Sequence, residues 1–294
     1  MKWANFSLIL VILVFFVSCS KQLEYDSDEN NTIETVNGIT IHWANEVSEE
    51  QMDILRTVVN DMVFVEGGTF SMGVNQAYDP DARRNESPVH LVELSGFYIC
   101  SHELTAEQVA TVTGNSDHIY PRLNSVHFSY SDWERFIVML NGYTGLKFDF
   151  PTEAQWEYAA RGGNKSQHFL FPGSDEWSMA WSDGSEECGP SIPNELGLFN
   201  MADSRAEWCK DMYAEYDAPV LSVNPCNLFG TNHVVRGGCS ESNSTYKNWF
   251  STTLPYFEKD DYRHCRSTAR SYGYRTSDSN VTWRPVINIP DYEQ

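Results

Sequence analysis

The amino-acid sequence predicts an α+β protein with little regular secondary structure. Three observations lead there. Capped helices with apolar faces recur through the first half of the chain. Short strand-like pieces bounded by glycines lie between them. Beyond residue 165 periodicity fails, and aromatics, glycines, prolines and asparagines alternate with short apolar runs, so loops packed by large rings must carry the fold there.

Taken in order, the chain begins with Lys2 and the apolar run "FSLILVILVFFVS", which is too short to span a bilayer comfortably and reads as the core of an export signal. Ser18 and Cys19 close it in a pattern that resembles a bacterial lipobox, which implies lipidation of Cys19 and attachment to a membrane through it. The following "SKQLEYDSDENN" is acidic and has no apolar face. It resembles stretches that send some lipoproteins to the cell surface. The expected divisions are a signal peptide over 1–18, a flexible tether over 19–46, a leading helix over 47–61 and one domain over 62–290. The expected location is the outer membrane or cell surface of a bacterium.

Ser48 and Gln51 form a capping box for the leading helix, with Met52, Leu55, Val59 and Met62 at helical spacing. "MVFVEGGTFSMG" reads as two strands around Gly67 and Gly68. A polar loop over 74–88 leads to "HLVELSGFYIC", strand-like with a kink at Gly96. Thr105 and Gln108 cap a second helix that groups Ala106, Val109 and Ala110. Trp133, Phe136, Ile137 and Leu140 mark a third, ending near Gly142. Thr152 and Gln155 open a fourth in "PTEAQWEYAARGG", which Gly162 and Gly163 stop.

The formal charge of −21 excludes phosphate-backbone binding, so no nucleic-acid partner is expected. Besides Cys19 the chain holds Cys100, Cys188, Cys209, Cys226, Cys239 and Cys265. An exported chain permits disulfides among them, but spacing assigns no pairing, and no CxxC suggests structural zinc.

Six segments then appear in a telling order: "MVFVEGGTFSMG", "ESPVHLVELSGFYICSHELT", "FPTEAQWEYAARGG", "NELGLFNMADSRAEWCKDMY", "VVRGGCS" and "CRSTARSY". Together, from about Met62 to Arg284, they resemble the formylglycine-generating enzyme, or sulfatase-modifying factor, family. The resemblance implies an irregular fold, distantly like a C-type lectin, often with calcium. It also implies several activities: copper-dependent oxidation of a sulfatase cysteine, sulfoxide synthesis on an added iron domain, or structural roles in lipoproteins. Activity must therefore be argued from the site.

Copper oxidation needs two close thiolates, because soft sulfur selects Cu(I). In the oxidases the double glycine precedes a serine, and a cysteine follows three residues later, with a second five beyond it. Here Cys239 stands at the serine position and Ser242 at the first thiol position. Counting back from Thr268-Ala269-Arg270 places Tyr262, not Cys265, at the second. Cys239, Ser242 and Cys265 are the catalytic candidates, out of register for copper. A cysteine nucleophile served by His233 or His264 is an alternative lacking an elbow motif. The resemblance also suggests a Cys209–Cys265 disulfide.

For calcium, the family's ligands map onto the Asn200 side chain, the carbonyls of Asp203 and Arg205, and the Glu207 carboxylate, a hard-oxygen set suited to that ion. The usual Gly-Asn-x-Trp ahead of the Glu is Asp203-Ser204-Arg205-Ala206 in this chain. A second family site near Trp181 and Ser182 lacks its Asn. Trp156, Tyr158 and Trp208 are expected in the core, and Arg161 and Arg270 as hydrogen-bonding organisers of loops. Calcium is thus the expected cofactor and copper is not. The leading expectation is a lipoprotein binding or scaffold module that meets a protein or glycan. The rival is an active formylglycine-generating oxidase.

Overall fold

The computed structural model describes residues 24–25, 32–117, 119–120, 125–126, 128–180, 192–202, 205–217, 221–238, 265–273, 275 and 281–289, and structural statements refer to these. The expected signal peptide and Cys19 lie outside them.

The expected tether is corrected over its second half. Strands β1 (Glu24–Tyr25), β2 (Thr32–Val36) and β3 (Ile39–His42) form an antiparallel sheet. Asn37 and Gly38, with φ of 51° and 77°, make the two-residue turn. Both central residues of a type I′ hairpin turn need positive φ, and Asn-Gly supplies it cheaply. Ile41 and Trp43 are buried, and Glu34 accepts bonds from Trp43 Nε1 at 3.2 Å and from Arg56 Nε at 2.7 Å. The alternation around Asn-Gly in "TIETVNGITIHW" carried this signal, but the acidic run before it hid the hairpin.

Helix α1 (Glu49–Asn60) opens on the expected box, with Gln51 N donating to Ser48 Oγ and Ser48 N to Gln51 Oε1. Helix α2 (Ala106–Thr113) does the same through Thr105 and Gln108, burying Ala106, Val109 and Val112. The third, α3 (Tyr130–Thr144), runs past Gly142 and stops at Gly145, whose φ of 65° supplies the left-handed cap. Its buried stripe holds Trp133, Phe136, Ile137 and Leu140. These helices, the β2–β3 hairpin and Trp208 and Trp283 share the larger hydrophobic cluster. Among the described residues, no helix is long and apolar enough to cross a membrane.

The two strand-like segments interlock rather than fold back on themselves. Strand β4 (Met62–Val65) pairs with β7 (Phe97–Cys100), and β5 (Gly68–Met72) with β6 (His90–Leu94). Each segment changes sheet at a glycine. A Cβ on Gly67 would sit 2.4 Å from the Leu94 carbonyl oxygen, and one on Gly96 would sit 3.0 Å from the Phe64 ring. The close crossing excludes any side chain at Gly67. Strands β8 (Ile119–Tyr120) and β9 (Ser125–Val126) pair only with each other, while β10 (Phe148–Asp149) joins β15 (Val286–Asn288) beside β7, and β12 (Ser222–Val223) runs parallel to β6. A further sheet of β11 (Ala206–Met212), β13 (His233–Gly237) and β14 (Arg270–Gly273) is antiparallel. Few helices and short sheets joined by long connections make up the α+β fold that the pattern predicts.

Candidate functional site

At the centre of the second cluster lies α4 (Glu153–Ala160), all eight of whose residues are buried. A helix buried on every side is ordinarily apolar all round, yet this one carries Glu153 and Glu157 one turn apart. Both are matched by arginines from the β13–β14 pair. Arg270 grips Glu153 with two bonds of 2.7 Å, and Arg236 pairs with Glu157 while its Nε lies 3.4 Å from Glu153. The Arg270 guanidinium stacks on Tyr216 at 3.9 Å, and Arg236 lies over Trp156 at 5.2 Å. Arg161 donates to the carbonyls of Ser71 and Gly73, so it and Arg270 organise loops as expected.

A second pair fixes the polar loop over 74–88. Buried Arg266 donates to Asp79 at 2.7 Å and twice to Glu86, at 2.5 and 2.7 Å, while Thr268 Oγ1 donates to Glu86. In a third, Arg284 Nη2 donates to Glu207 Oε1 at 2.6 Å and Nε reaches both oxygens at 3.0 Å. Trp156 Nε1 gives Glu207 Oε2 another bond at 2.8 Å. Arg284 also holds the carbonyls of Cys100 and Phe199. Burial pushes the Glu207 carboxyl up, and the charge and donors of Arg284 pull against that.

The catalytic candidates part company here. Cys239, Ser242 and His264 lie outside the described residues. Cys265 is disulfide-bonded, so its sulfur is not a thiolate. The expected Cys209–Cys265 bond does not form, because Cys209 is a free thiol. Cys209 packs against α4 and Val234, whereas Cys265 packs with Phe171, Ala180 and Ala202 in a separate cluster. Burial raises the Cys209 thiol well above its ordinary value, Cys100 to about 11 and Cys226 to about 12, the last helped by the Asp211 carboxylate. None of these three is a ready thiolate.

His233 is buried and neutral, its pKa lowered by burial. Its Nδ1 donates to the Lys210 carbonyl at 3.2 Å, and its ring stacks on Tyr130 at 3.6 Å. Nε2 is left sealed without a partner. Such a ring serves packing rather than proton transfer.

The calcium set does not fit the ion as it stands. Asp203 lies outside the described residues. Asn200 takes the left-handed conformation, with φ of 59°. Glu207, the one anionic ligand, already accepts two bonds on each oxygen, three of the four contacts coming from a guanidinium. Calcium binding needs free oxygen lone pairs, and a cation placed there would face Arg284 directly. Among the described residues no group of three or more His, Cys, Asp or Glu could hold a metal ion.

Sequence reasoning missed Glu86, Glu153, Glu157 and Arg266. Two glutamates at i and i+4 among the alanines and aromatics of "TEAQWEYAA" were the available signal for α4. The Arg266–Glu86 pair spans 180 positions and has no local signature. Trp156, Tyr158 and Trp208 are buried as expected.

Residues 48–277 match the family profile described as "Sulfatase-modifying factor enzyme 1-like domain". The chain is 30% identical over 222 residues to serine/threonine-protein kinase Pkn1 of Chlamydia trachomatis, covering 63% of this chain and 34% of the kinase. It therefore spans about a third of that relative's length. It is 26% identical to chaperone protein LppX of Paenibacillus barcinonensis, over 55% of this chain and 75% of LppX. With the formylglycine-generating enzyme of Streptomyces coelicolor it shares 28% identity, over 58% of this chain and 56% of the enzyme. Treponema denticola variable protein 1 has the same fold, with a TM-score of 0.57 at 18% identity, covering 88% of this chain and 99% of that one. The chain belongs to the sulfatase-modifying factor enzyme 1-like family.

Proposed function

We propose that this protein is an exported lipoprotein, anchored at the bacterial envelope through Cys19, whose domain is a binding or scaffold module rather than a copper oxidase. One observation carries the reading. Cys265 is spent in a disulfide, and the free thiols among the described residues are buried or held protonated. The spacing of Cys239 and Ser242 in the sequence points the same way. Rigid loops pinned by buried ion pairs suit presentation of a surface to a protein or glycan. The chaperone name of the LppX relative is consistent with a non-oxidative role in the family.

The test is copper(I) titration of the protein with its disulfide intact, with a cysteine-bearing sulfatase peptide and an aldehyde-capturing probe. The expected result is no tight one-to-one copper complex and no aldehyde. Stoichiometric copper with aldehyde formation establishes the oxidase reading instead. The anchor is tested separately, since labelled fatty acid should enter the wild-type chain and not Cys19→Ser.

A further inference from the structure

The misfit between this chain and calcium has a structural counterpart. Glu103 is buried, and its side chain lies 3.4 Å from Arg205 Nη2, the two being 3% and 17% exposed. Its other oxygen, Oε1, is sealed without a hydrogen-bond partner. The Glu103 charge adds to the burial that pushes the Glu207 carboxyl up. Two carboxylates thus meet two guanidiniums, Arg205 from the loop itself and Arg284 from the chain just ahead of β15.

Arg284 ties Phe199, at the entrance of the loop, to Glu207 at its exit. Arg205, inside the loop, ties it back to Glu103 beside β7. A divalent ion in a loop of this kind serves the same ends, cross-linking the entry and exit of the chain and neutralising the acid between them. Here Glu103 and Glu207 each already meet a guanidinium. A calcium ion added there would sit against the Arg205 and Arg284 guanidiniums in a largely buried region, which is costly.

We propose that in this chain the guanidiniums of Arg205 and Arg284, seated on Glu103 and Glu207, replace the divalent cation and tie Phe199, Glu103 and the start of β11 together without calcium. Arg205 stands where the family motif contributes only a backbone carbonyl, so this chain's own side chain brings the charge that an ion would otherwise supply.

The test uses the full oxidised chain. Thermal unfolding is followed in a calcium chelator and in millimolar calcium, beside a calorimetric calcium titration. Wild type is expected to melt within about 1 °C in the two conditions, because a ligand that does not bind the native state adds no stability. Arg205→Gln should melt about 5 °C lower in both conditions, and Arg205→Lys should recover most of that loss. A chelator-sensitive wild-type melting temperature overturns the proposal, as does an Arg205→Gln variant as stable as wild type. Should Arg205→Gln fail to fold, the double variant Arg205→Gln/Glu103→Gln strands no carboxylate and is expected to fold. If that variant also fails, the charge-pair assignment is wrong.

Discussion

Removal of Arg284 is the sharpest probe of the buried charges. In Arg284→Met the aliphatic bulk stays, but Glu207 loses its guanidinium contacts and the carbonyls of Cys100 and Phe199 lose a donor each. Both partners of the ion pair are essentially inaccessible, at 0% and 1% exposure, so water cannot step in. Stranding one member of a buried pair costs about 3–5 kcal/mol. For a domain of this size that is a fall in Tm of about 6–20 °C, at about 2–4 °C per kcal/mol. Urea denaturation followed by circular dichroism measures it. The stranded acid then has a raised folded pKa, so the native variant keeps a proton that the unfolded chain releases. Its stability should therefore climb as pH falls from neutral toward the ordinary carboxylate range, in excess of any change in wild type. Adding Glu207→Gln should restore part of the loss and remove that slope. A loss below about 1 kcal/mol, or a double variant no better than the single, would refute the claim that this pair closes the loop.

Two other outcomes follow from local geometry. Asp211 is buried on β11, accepts from the backbone N–H groups of Glu153 and Asn227, and is raised from 3.8 to about 6 by burial and the neighbouring Glu153. That difference corresponds to about 3 kcal/mol, present as stability below the unfolded pKa and lost as pH rises through about 6. Denaturation curves at pH 5 and pH 8 should show this slope in wild type and a flatter one in Asp211→Asn. Gly238 has φ of 76°, and a Cβ there would lie 2.6 Å from the Ala206 nitrogen. Gly238→Ala should cost about 2–4 kcal/mol by the same assay, whereas Gly114→Ala, strained in φ but with nothing within 4 Å, should cost only about 1 kcal/mol.

The legible parts of this fold are those whose cause is local. Ser48, Thr105 and Thr152 announce helix starts because a cap and its reciprocal partner sit three residues apart. The hairpin at Asn37-Gly38 is equally local in cause, but the acidic stretch before it masks the alternation of its strands. Arg236, Gly237 and Gly238 stood out by their motif, and both the ion pair and the tight packing against Ala206 give that motif a physical reason. What could not be read is the partner of each buried charge. Glu207 was legible as an acid in a loop suited to a cation, but its partner Arg284 lies 77 positions away. The cysteines were misleading for the same reason. Cys209 and Cys265 both lie in family motifs, yet a β-strand buries one against α4 and a separate aromatic cluster takes the other.

The order of the buried charges along the chain has a consequence for biosynthesis. Asp79, Glu86, Glu153 and Glu207 all emerge from the ribosome before Arg266, Arg270 and Arg284, which answer them. Until the segment beyond residue 265 is made, these acids lack the guanidiniums of Arg266, Arg270 and Arg284 that offset the cost of burying them. The last positive charges therefore complete the interior, and a chain cut short of them leaves Asp79, Glu86, Glu153 and Glu207 without these guanidiniums.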